Sequence, residues 1–278
     1  MLRIALNGRF YGAPVTGVQR VARELAARLG DRARVAVFVP RGLAKAQPAS
    51  KLPAREVVRG ILPGRVWEQI ELPLRLRSAG CDVALHLGQT APACGAGPSV
   101  ILVYDLTPLT HPEWYRPGFT WWFKAALARP VRHAARVLVL SEWTRGELVR
   151  VLGVARDRID LVSQGTAPFD QPADSVAVAA VRAKWGLPDQ YLLATGAGDR
   201  RKNAAFLLEA LRRWPSGNPP ALVVTGARHP QIHAAASWPG HDDLPVHLLG
   251  RVTDDELRAL YTGAAAFCFP SLAEGFGR

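Results

Sequence analysis

The last ten residues of the chain carry the side chains with the clearest chemical use. They read Phe269-Pro270-Ser271-Leu272-Ala273-Glu274-Gly275-Phe276-Gly277-Arg278, an apolar strand that runs into a loop with one carboxylate and two glycines. Glu274 can accept hydrogen bonds from hydroxyl groups, and Gly275 and Gly277 let backbone N–H groups approach a ligand closely. The pattern predicts a loop that holds a sugar beside a diphosphate.

A second loop, residues 194–203, combines glycines with three consecutive cations in the order Ala194-Thr195-Gly196-Ala197-Gly198-Asp199-Arg200-Arg201-Lys202-Asn203. Asn203 is a favoured helix N-cap, so the three cations are predicted to crowd the positive end of a helix dipole. A bound diphosphate would relieve that repulsion and receive the N–H donors of the helix start. An exposed basic turn is the simpler alternative. The glycine spacing alone is a weak dinucleotide signal, because the third glycine of Gly-x-Gly-x-x-Gly would fall at Arg201.

Loops after earlier strands supply further candidates. In the loop of residues 7–18, Gly17 stands at a helix start and is predicted to leave space for a ligand. Tyr104 and Asp105 follow another strand and are expected at the same edge of the sheet. Asp105 either orients an acceptor or caps the next turn. Ser141 is predicted to be a helix N-cap.

The elements that must position these residues follow one rhythm, in which short apolar runs alternate with amphipathic runs of helical length. Such a βαβ pattern implies parallel sheets covered on both faces. The stretch Gly165–Ser175 contains two prolines and no periodicity, which is typical of a linker. We therefore predict an α/β protein with two doubly wound domains, residues 1–168 and 169–278, facing each other across a cleft, with ligands at the carboxyl ends of the strands.

The predicted strands are Arg3–Asn7, Arg34–Val39, Val83–His86, Val100–Val103, Arg136–Leu140, Ile159–Val162, Tyr191–Thr195, Ala221–Thr225, Val246–Leu248 and Ala265–Phe269. The predicted helices are Gly17–Leu29, Arg65–Ser78, Gly118–Ala134, Glu142–Leu152, Val176–Trp185, Asn203–Trp214 and Asp254–Thr262.

The net charge of +12 is concentrated in the first half of the chain. Residues 1–170 hold 24 Lys and Arg against 13 Asp and Glu, whereas residues 171–278 hold 11 against 10. This excess indicates either solvated helix faces or an anionic partner such as lipid headgroups or a lipid-linked acceptor. Nucleic acid is disfavoured because no binding motif or clustered basic helix is present. The sequence does not determine an oligomeric state.

Several other classes are disfavoured. No apolar run approaches the length of a membrane span, and the N-terminus lacks a signal-peptide core, so we expect a cytoplasmic protein and leave open a peripheral place at the inner membrane face. The three cysteines are scattered and are interpreted as buried thiols in a reducing compartment. His229 and His233 are four residues apart, but no Glu follows the first and Pro230 does, so no metal site is predicted.

Five segments together resemble the large family of retaining glycosyltransferases with the GT-B fold that includes bacterial mannosyltransferases, glycosyltransferase family 4. The segments follow the family's order along the chain, and the last is the most specific. They are residues 16–25 (Thr-Gly-Val-Gln-Arg-Val-Ala-Arg-Glu-Leu), 103–109 (Val-Tyr-Asp-Leu-Thr-Pro-Leu), 141–144 (Ser-Glu-Trp-Thr), 196–203 and 269–277.

The resemblance implies two Rossmann-like domains and a donor site in the second. It implies that Glu274 contacts the donor sugar and that the segment Gly275, Phe276 and Gly277 lies near the sugar and phosphate. Lys202 matches the family's diphosphate-binding lysine.

Two positions depart from the family pattern. The arginine that often follows the glycine matching Gly196 is Ala197 here, and Arg201 is expected to supply that charge. A histidine common before the aspartate of the acceptor-side loop is Tyr104 here, which argues against a histidine role in catalysis.

The family pattern also places a second glutamate eight positions after Glu274, beyond Arg278. The resemblance therefore predicts a second domain that is incomplete at its C-terminus. On that basis we expect the 278-residue chain to be inactive or weakly active and prone to aggregate.

The function expected from these observations is transfer of a sugar from a nucleoside-diphosphate sugar to a hydroxyl acceptor, with retention, in polysaccharide or glycolipid assembly. Arg201, Lys202 and Glu274 are the expected catalytic residues, and no obligatory metal or other cofactor is expected. One alternative is a nucleotide-binding oxidoreductase, which the glycine spacing of the first loop disfavours. Another is a non-enzymatic sugar- or nucleotide-binding protein, which the absence of an export signal disfavours.

Overall fold

A computed structural model describes residues 1–30, 32–43, 56–94, 97–165, 171–196, 198–226 and 241–276. The chain divides into two compact units. Unit 1 comprises Met1–Thr110, Thr120–Gln164 and Gly275–Arg278, and unit 2 comprises His111–Phe119 and Gly165–Glu274. Of the residues singled out above, Ala197, Gly277, His229 and His233 lie outside the described residues, as does part of the predicted linker.

Unit 1 is built on a seven-stranded sheet in the order β3-β2-β1-β4-β5-β6-β7, with every pair of neighbours parallel. Its strands are β1 (Arg3–Asn7), β2 (Arg34–Val39), β3 (Glu56–Arg59), β4 (Val83–His86), β5 (Ser99–Val103), β6 (Arg136–Val139) and β7 (Ile159–Leu161).

Helices cover both faces of this sheet. Helix α1 (Gly17–Leu29) buries Val21 and Ala22 against one face. Helix α2 is continuous through Gly64–Val66, a π turn at Trp67–Glu71 and Leu72–Ser78, and it buries Trp67 and Leu72 against the other face. The remaining helices described here are α3 (Thr107–Thr110), α4 (Pro117–His133) and α5 (Glu142–Leu152).

Pro130 lies inside α4, where most helices exclude proline. Proline has no backbone N–H, so the carbonyl of Ala126 loses its helical partner. That carbonyl accepts a hydrogen bond from the backbone N–H of Ala91 at 3.1 Å instead. The proline therefore fixes the segment that follows β4 to the helix.

Unit 2 repeats the plan with four parallel strands in the order β10-β9-β8-β11. They are β8 (Tyr191–Thr195), β9 (Ala221–Thr225), β10 (Val246–Gly250) and β11 (Ala266–Phe267). Helix α7 (Ala204–Arg212) packs on one face of the sheet, and helices α6 (Ser175–Trp185) and α8 (Asp254–Gly263) pack on the other.

Both sheets share one topological feature that decides where ligands bind. The chain moves outward over three strands and then returns to the other side of the first, so the strand order reverses between β1 and β4 and again between β8 and β11. In doubly wound sheets the crevice at this reversal, outside the carboxyl ends of the strands, is the usual ligand site. The loops after β8 and β11 are those of residues 194–203 and 269–274.

The predicted α/β class with two Rossmann-like units is confirmed, and most element boundaries agree with the predicted ones to within two residues. The prediction missed the edge strand β3, whose four residues Glu-Val-Val-Arg are too short to give a periodic signal. The prediction of three buried thiols was wrong. Cys94 is exposed in the loop after β4, and Cys81 and Cys268 are partly exposed.

Within the described residues, no helix combines the length and the apolar character needed to span a bilayer.

A buried polar cluster lies at the strand-order reversal of unit 1. The carboxylate of Glu68, on α2, accepts hydrogen bonds from Asn7 Nδ2 at 2.8 Å, Arg9 Nε at 3.0 Å and Thr90 Oγ1 at 3.0 Å. Asn7 Nδ2 also lies 3.3 Å from Nδ1 of the buried His86. A buried carboxylate is tolerated only with such partners, so this cluster ties β1, β4 and α2 together.

We expect unit 1 to lose stability as pH falls below about 6.5, and we assign the effect to His86. Burial lowers the pKa of His86 from 6.5 to about 4, against a smaller opposing effect of the Glu68 carboxylate. Between pH 6.5 and 4, His86 therefore binds a proton in the unfolded chain but not in the folded chain. The free energy of unfolding should fall by up to about 1.4 kcal/mol per pH unit between pH 6.5 and 4.

Urea unfolding between pH 7.5 and pH 4 measures this slope. His86→Asn should lower the number of protons taken up on unfolding by about one, which flattens the slope. The matched control is His133→Gln, a substitution of an exposed histidine in the same unit, which should leave the slope unchanged. An identical slope in wild type and His86→Asn would contradict the assignment.

Candidate functional site

The candidate site in unit 2 begins at Gly196, where the chain leaves β8. Gly196 has φ +92°, a conformation that residues with a side chain rarely adopt. A Cβ atom there would lie 2.6 Å from Cγ of Lys202, so the glycine also makes room for the lysine stem. Its N–H donates to the carbonyl of Thr225 at 2.7 Å, which fixes the turn to β9. Gly196 therefore leaves the space that the side chain of Lys202 occupies.

The three cations form a 3₁₀ turn, Arg200–Lys202, that Asp199 closes. The carboxylate of Asp199 accepts from the backbone N–H of Arg201 at 2.9 Å, as in an Asx turn, and from its Nε at 3.2 Å. Asn203 stands at the predicted N-cap position of α7, but its side chain does not cap the helix. Asn203 is in the left-handed region (φ 56°) without a side-chain cap bond, because asparagine tolerates that conformation and its amide is used elsewhere.

Two hydrogen bonds join this turn to the loop after β11. Asn203 Nδ2 donates to the carbonyl of Pro270 at 3.2 Å, and the backbone N–H of Leu272 donates to the carbonyl of Arg201 at 2.9 Å. One backbone bond and one side-chain amide bond therefore fix the two segments to each other before the charged side chains are considered. The two segments that the sequence singled out for diphosphate and sugar lie side by side.

The side chains meet at the carboxylate of Glu274. Lys202 Nζ lies 2.7 Å from its Oε1, and an Arg201 guanidinium nitrogen lies 2.8 Å from its Oε2. The three side chains are only 16–19% exposed, and that of Asp199 is 13% exposed. Lys202 Nζ also lies 4.7 Å from the ring centre of Phe269. Two cations and two carboxylates thus alternate in a partly desolvated cluster with no net charge.

Such a cluster is held by strong charge-assisted hydrogen bonds, but breaking one pair leaves a poorly hydrated charge. An anionic ligand that replaced a carboxylate as partner of the cations would keep both cations paired. A lysine ammonium has three N–H donors, and Glu274 takes one of them. A phosphate group can use the others, and a carboxylate beside it can accept from sugar hydroxyls.

A small pocket opens next to this cluster, lined among others by Gly196, Lys202 and Ser271. The hydroxyl of Ser271 is buried and has no hydrogen-bond partner among the residues that the structure describes. An unsatisfied buried hydroxyl is costly unless a ligand or ordered water completes it. The pocket wall therefore carries one polar group in need of a partner.

The acceptor-side candidates lie in unit 1 and have structural partners. The hydroxyl of Tyr104 is buried, and its oxygen lies 3.0 Å from the carbonyl oxygens of both Val18 and Leu87. Burial raises the pKa of Tyr104. Asp105 Oδ1 accepts hydrogen bonds from the backbone N–H of Thr107 at 3.1 Å and from the hydroxyl of Thr107 at 2.8 Å. Asp105 therefore caps the next turn, as one of the two alternatives predicted. An acceptor role for either stays a prediction.

Gly17 begins α1, and nothing lies within 4 Å of the position that a Cβ atom would take. The space predicted beside this residue is therefore open. A ligand contact at Gly17 stays a prediction.

Gly275, which belongs to unit 1, is required by a close backbone approach. A Cβ atom there would lie 1.9 Å from the carbonyl oxygen of Tyr104. The Gly275 carbonyl accepts from Thr144 Oγ1 at 3.1 Å and from the hydroxyl of Ser141, which also caps α5 as predicted. Phe276 is 48% exposed. The structure thus gives Gly275 a packing reason, and contacts of either residue with a donor stay predictions.

The sequence reasoning gave no role to Asp199, Glu68 or Ser271. Asp199 stands two residues before Arg201, the spacing of an Asx turn, and this signal could have identified it. Glu68 is followed by Gln69 and, three residues on, by Glu71, so the sequence does not mark its carboxylate as buried. The need of Ser271 for a partner has no sequence signal, because it depends on burial.

The fold and this charged cluster define an α/β protein with a candidate anion and sugar site at the strand-order reversal of its second unit. Two family models match the chain: Glycosyltransferase Family 4 over residues 15–168 and Glycosyl transferases group 1 over residues 189–278. The first covers more than half of the chain, so the chain belongs to glycosyltransferase family 4.

Curated relatives are named as mannosyltransferases. The chain is 29% identical over 192 residues to the serotype-specific mannosyltransferase WbdA of Escherichia coli, a match that covers 64% of this chain and 23% of the relative. It is 27% identical over 193 residues to O-antigen chain mannosyltransferase B of the same species, covering 64% and 48%. The match therefore spans about half or less of these relatives.

Solved glycosyltransferase structures share the fold. Anabaena Alr3699/HepE, solved in complex with UDP, aligns with a TM-score of 0.66 at 16% identity over 98% of this chain and 75% of that one. WaaG, a glycosyltransferase involved in lipopolysaccharide biosynthesis, aligns with a TM-score of 0.63 at 16% identity over 99% and 76%. At this identity the likeness shows the fold alone, which is that of GT-B glycosyltransferases.

We predict that Gly196→Ala weakens nucleoside-diphosphate binding by at least about tenfold while the protein stays folded. The methyl group would displace the stem of Lys202 and strain the backbone, at a cost on the order of 1–3 kcal/mol. Isothermal titration calorimetry measures the affinity, and thermal unfolding reports the fold. Gly217→Ala, also at positive φ (70°) but with open space around it, is the matched control. Equal affinities for the two variants would contradict the role of Gly196.

Proposed function

We propose that the protein transfers a hexose from a nucleoside-diphosphate sugar to a hydroxyl acceptor. The observation that carries the proposal is the carboxylate of Glu274 held between Lys202 and Arg201, at 2.7 and 2.8 Å, at the strand-order reversal of unit 2. This arrangement offers cations to a diphosphate and a carboxylate to sugar hydroxyls within a few ångströms. The family membership and the mannosyltransferase relatives support a hexosyl donor, and mannose is the first to test.

In the proposed reaction the bond between the anomeric carbon and the diphosphate oxygen breaks, and its electron pair leaves with the diphosphate. The acceptor oxygen forms the new bond, and its proton passes to the departing diphosphate oxygen. Negative charge grows on the diphosphate in the transition state, where Lys202 and Arg201 stabilise it more than in the bound donor. Glu274 fixes the orientation of the sugar. No step requires a metal ion.

The finer features of the proposal come from the family. We infer retention at the anomeric carbon because the family of the resemblance is retaining. We infer a role in polysaccharide or glycolipid assembly because one of the relatives is named an O-antigen chain mannosyltransferase. The cationic excess of residues 1–170 supports a lipid-linked or membrane-surface acceptor.

The decisive test is Lys202→Ala. Removing one preorganised donor from a developing anion costs roughly 3–4 kcal/mol, so the rate of nucleoside-diphosphate release from the donor should fall on the order of 100- to 1,000-fold. The assay uses the purified full-length protein, GDP- and UDP-linked hexoses and extracted lipid acceptors. A loss of less than about threefold would remove Lys202 from the mechanism.

Lys184→Ala is the matched control, because Lys184 also pairs with a glutamate, Glu256 at 2.6 Å, on the surface of the same unit. Titration of intrinsic tryptophan fluorescence with the same nucleotides and with NAD separates the rivals. Binding of NAD in preference to nucleoside diphosphates would favour the oxidoreductase. Binding of nucleotide sugars without turnover under any acceptor would favour a binding protein.

A further inference from the structure

Unit 1 contains a cavity of about 260 Å³ on the face of its sheet that α2 covers. Ala84, His86 and Ser99 line it from β4 and β5, Leu76 from α2 and Pro130 from α4. Protein interiors leave few voids larger than a water molecule. The volume is near the lower end of small-molecule pockets, about 300 Å³, so the cavity is large enough to hold a ligand.

One wall of the cavity, residues 91–94, is fixed to the helices on both sides. Gln69 on α2 binds it twice, because its Nε2 donates to the carbonyl of Ala91 at 3.0 Å and its Oε1 accepts from the N–H of Ala93 at 2.9 Å. On the α4 side, the N–H of Ala91 donates to the carbonyl of Ala126. The cavity is therefore preformed, and a ligand would not have to order its wall.

The hydrogen bonds of Asn7 determine which nitrogen of His86 carries the proton. Asn7 Oδ1 accepts from the backbone N–H of Arg9 at 3.2 Å and Nδ2 donates to Glu68 at 2.8 Å, which fixes the orientation of the amide. The same Nδ2 lies 3.3 Å from Nδ1 of His86. An amide nitrogen only donates, so Nδ1 accepts. Burial lowers the pKa of His86 to about 4, so at neutral pH the ring is uncharged and its one proton is on Nε2.

This Nε2–H group is a donor at the inner end of the cavity. Strands β1 and β5 flank β4 on opposite sides, so the Nδ1 edge of the ring faces Asn7 and the Nε2 edge faces the side of the cavity that Ser99 lines. Within the described part of the chain His86 hydrogen-bonds only to Asn7, although it is just 2% exposed. A buried donor without an acceptor is costly, and a ligand in the cavity can supply that acceptor.

The outer end of the cavity is cationic. Arg129 and His133 both line it, are exposed, and stand four residues apart on one face of α4. The ion pairs among the described residues of unit 1 involve neither side chain. None of the described residues that line the cavity is an Asp or Glu. The outer end therefore favours an anion.

The two ends together define the charge and shape of a ligand. A guanidinium pairs with a carboxylate through two parallel hydrogen bonds, and one arginine balances one negative charge. A second charge at the buried Nε2–H would be expensive, so the inner acceptor must be a neutral keto or hydroxyl oxygen. Leu76, Ala84 and Pro130 offer apolar surface to the carbon chain of the ligand.

We propose that this cavity binds a small organic monocarboxylate that carries a second, uncharged acceptor oxygen. The carboxylate pairs with Arg129 and His133, and the neutral oxygen accepts from Nε2–H of His86. The site lies wholly in unit 1. It is independent of the donor chemistry proposed for unit 2.

Alkylation of Cys94 measures occupancy, because this exposed cysteine lines the cavity. Peptide mass spectrometry follows its reaction with iodoacetamide in the purified protein, at constant ionic strength, with four probes. The probe 4-oxopentanoate carries both groups and should protect Cys94 at a concentration at least about threefold lower than pentanoate, which lacks the inner oxygen. The probes 2-pentanone, without a carboxylate, and inorganic phosphate, without a carbon chain, should need at least about fivefold more.

Arg129→Gln should raise the protecting concentration of 4-oxopentanoate and pentanoate at least about fivefold and leave that of 2-pentanone unchanged. The matched control is Lys124→Gln, an exposed position of the same helix that does not line the cavity. A cation near the end of α4 also complements the helix dipole, so thermal unfolding of both variants separates lost stability from lost binding. In protein labelled with ¹⁵N-histidine, 4-oxopentanoate should shift the ring signals of His86 more than pentanoate does.

Four results would overturn the inference. They are absence of protection by 4-oxopentanoate, equal protection by 4-oxopentanoate and pentanoate, equal protection by phosphate and pentanoate, and equal effects of Arg129→Gln and Lys124→Gln. The second would remove His86 from the site, and the third would reduce the site to a general attraction of anions.

Discussion

The candidate site depends on one interaction, the sharing of the Glu274 carboxylate between Lys202 and Arg201. Each partner is mostly shielded from water, so none of the three charges is tolerated there without the others. A diphosphate is a better partner for the two cations than a single carboxylate, because it offers more charge and more acceptor oxygens. Because water is largely excluded, the cluster is costly to break, and for the same reason a diphosphate that pairs with the two cations is strongly attracted to them.

Topology explains how residues so far apart in sequence come to form one charged cluster. The strand order of unit 2 reverses between β8 and β11, so the loops that follow these strands emerge side by side. Hydrogen bonds from the backbone N–H of Leu272 and the side-chain amide of Asn203 then fix their register. Gly196 and Asp199 set the path of the cationic turn. Family membership and the site geometry therefore point to the same donor chemistry by separate routes.

Much of this arrangement could be predicted from sequence, because the apolar periods of the strands and helices are strong and the glycines mark the loops. Asn203 stands at the predicted N-cap position, but its side chain does not cap the helix, and its amide instead donates to the carbonyl of Pro270, a long-range contact that the sequence does not show. The buried position of Glu68 could not be predicted. It depends on which face of α2, a helix with apolar residues on two sides, meets the sheet.

The most direct test of the central claim is the effect of Glu274→Gln on two affinities measured by calorimetry, for a nucleoside diphosphate and for its sugar conjugate, with GDP and GDP-mannose or UDP and UDP-glucose. The account predicts that affinity for the nucleoside diphosphate is kept or rises, because the cations lose a competing partner, while affinity for the sugar conjugate falls about tenfold or more. Equal losses for both ligands, or no loss for either, would show that Glu274 only braces the cations and would contradict the account.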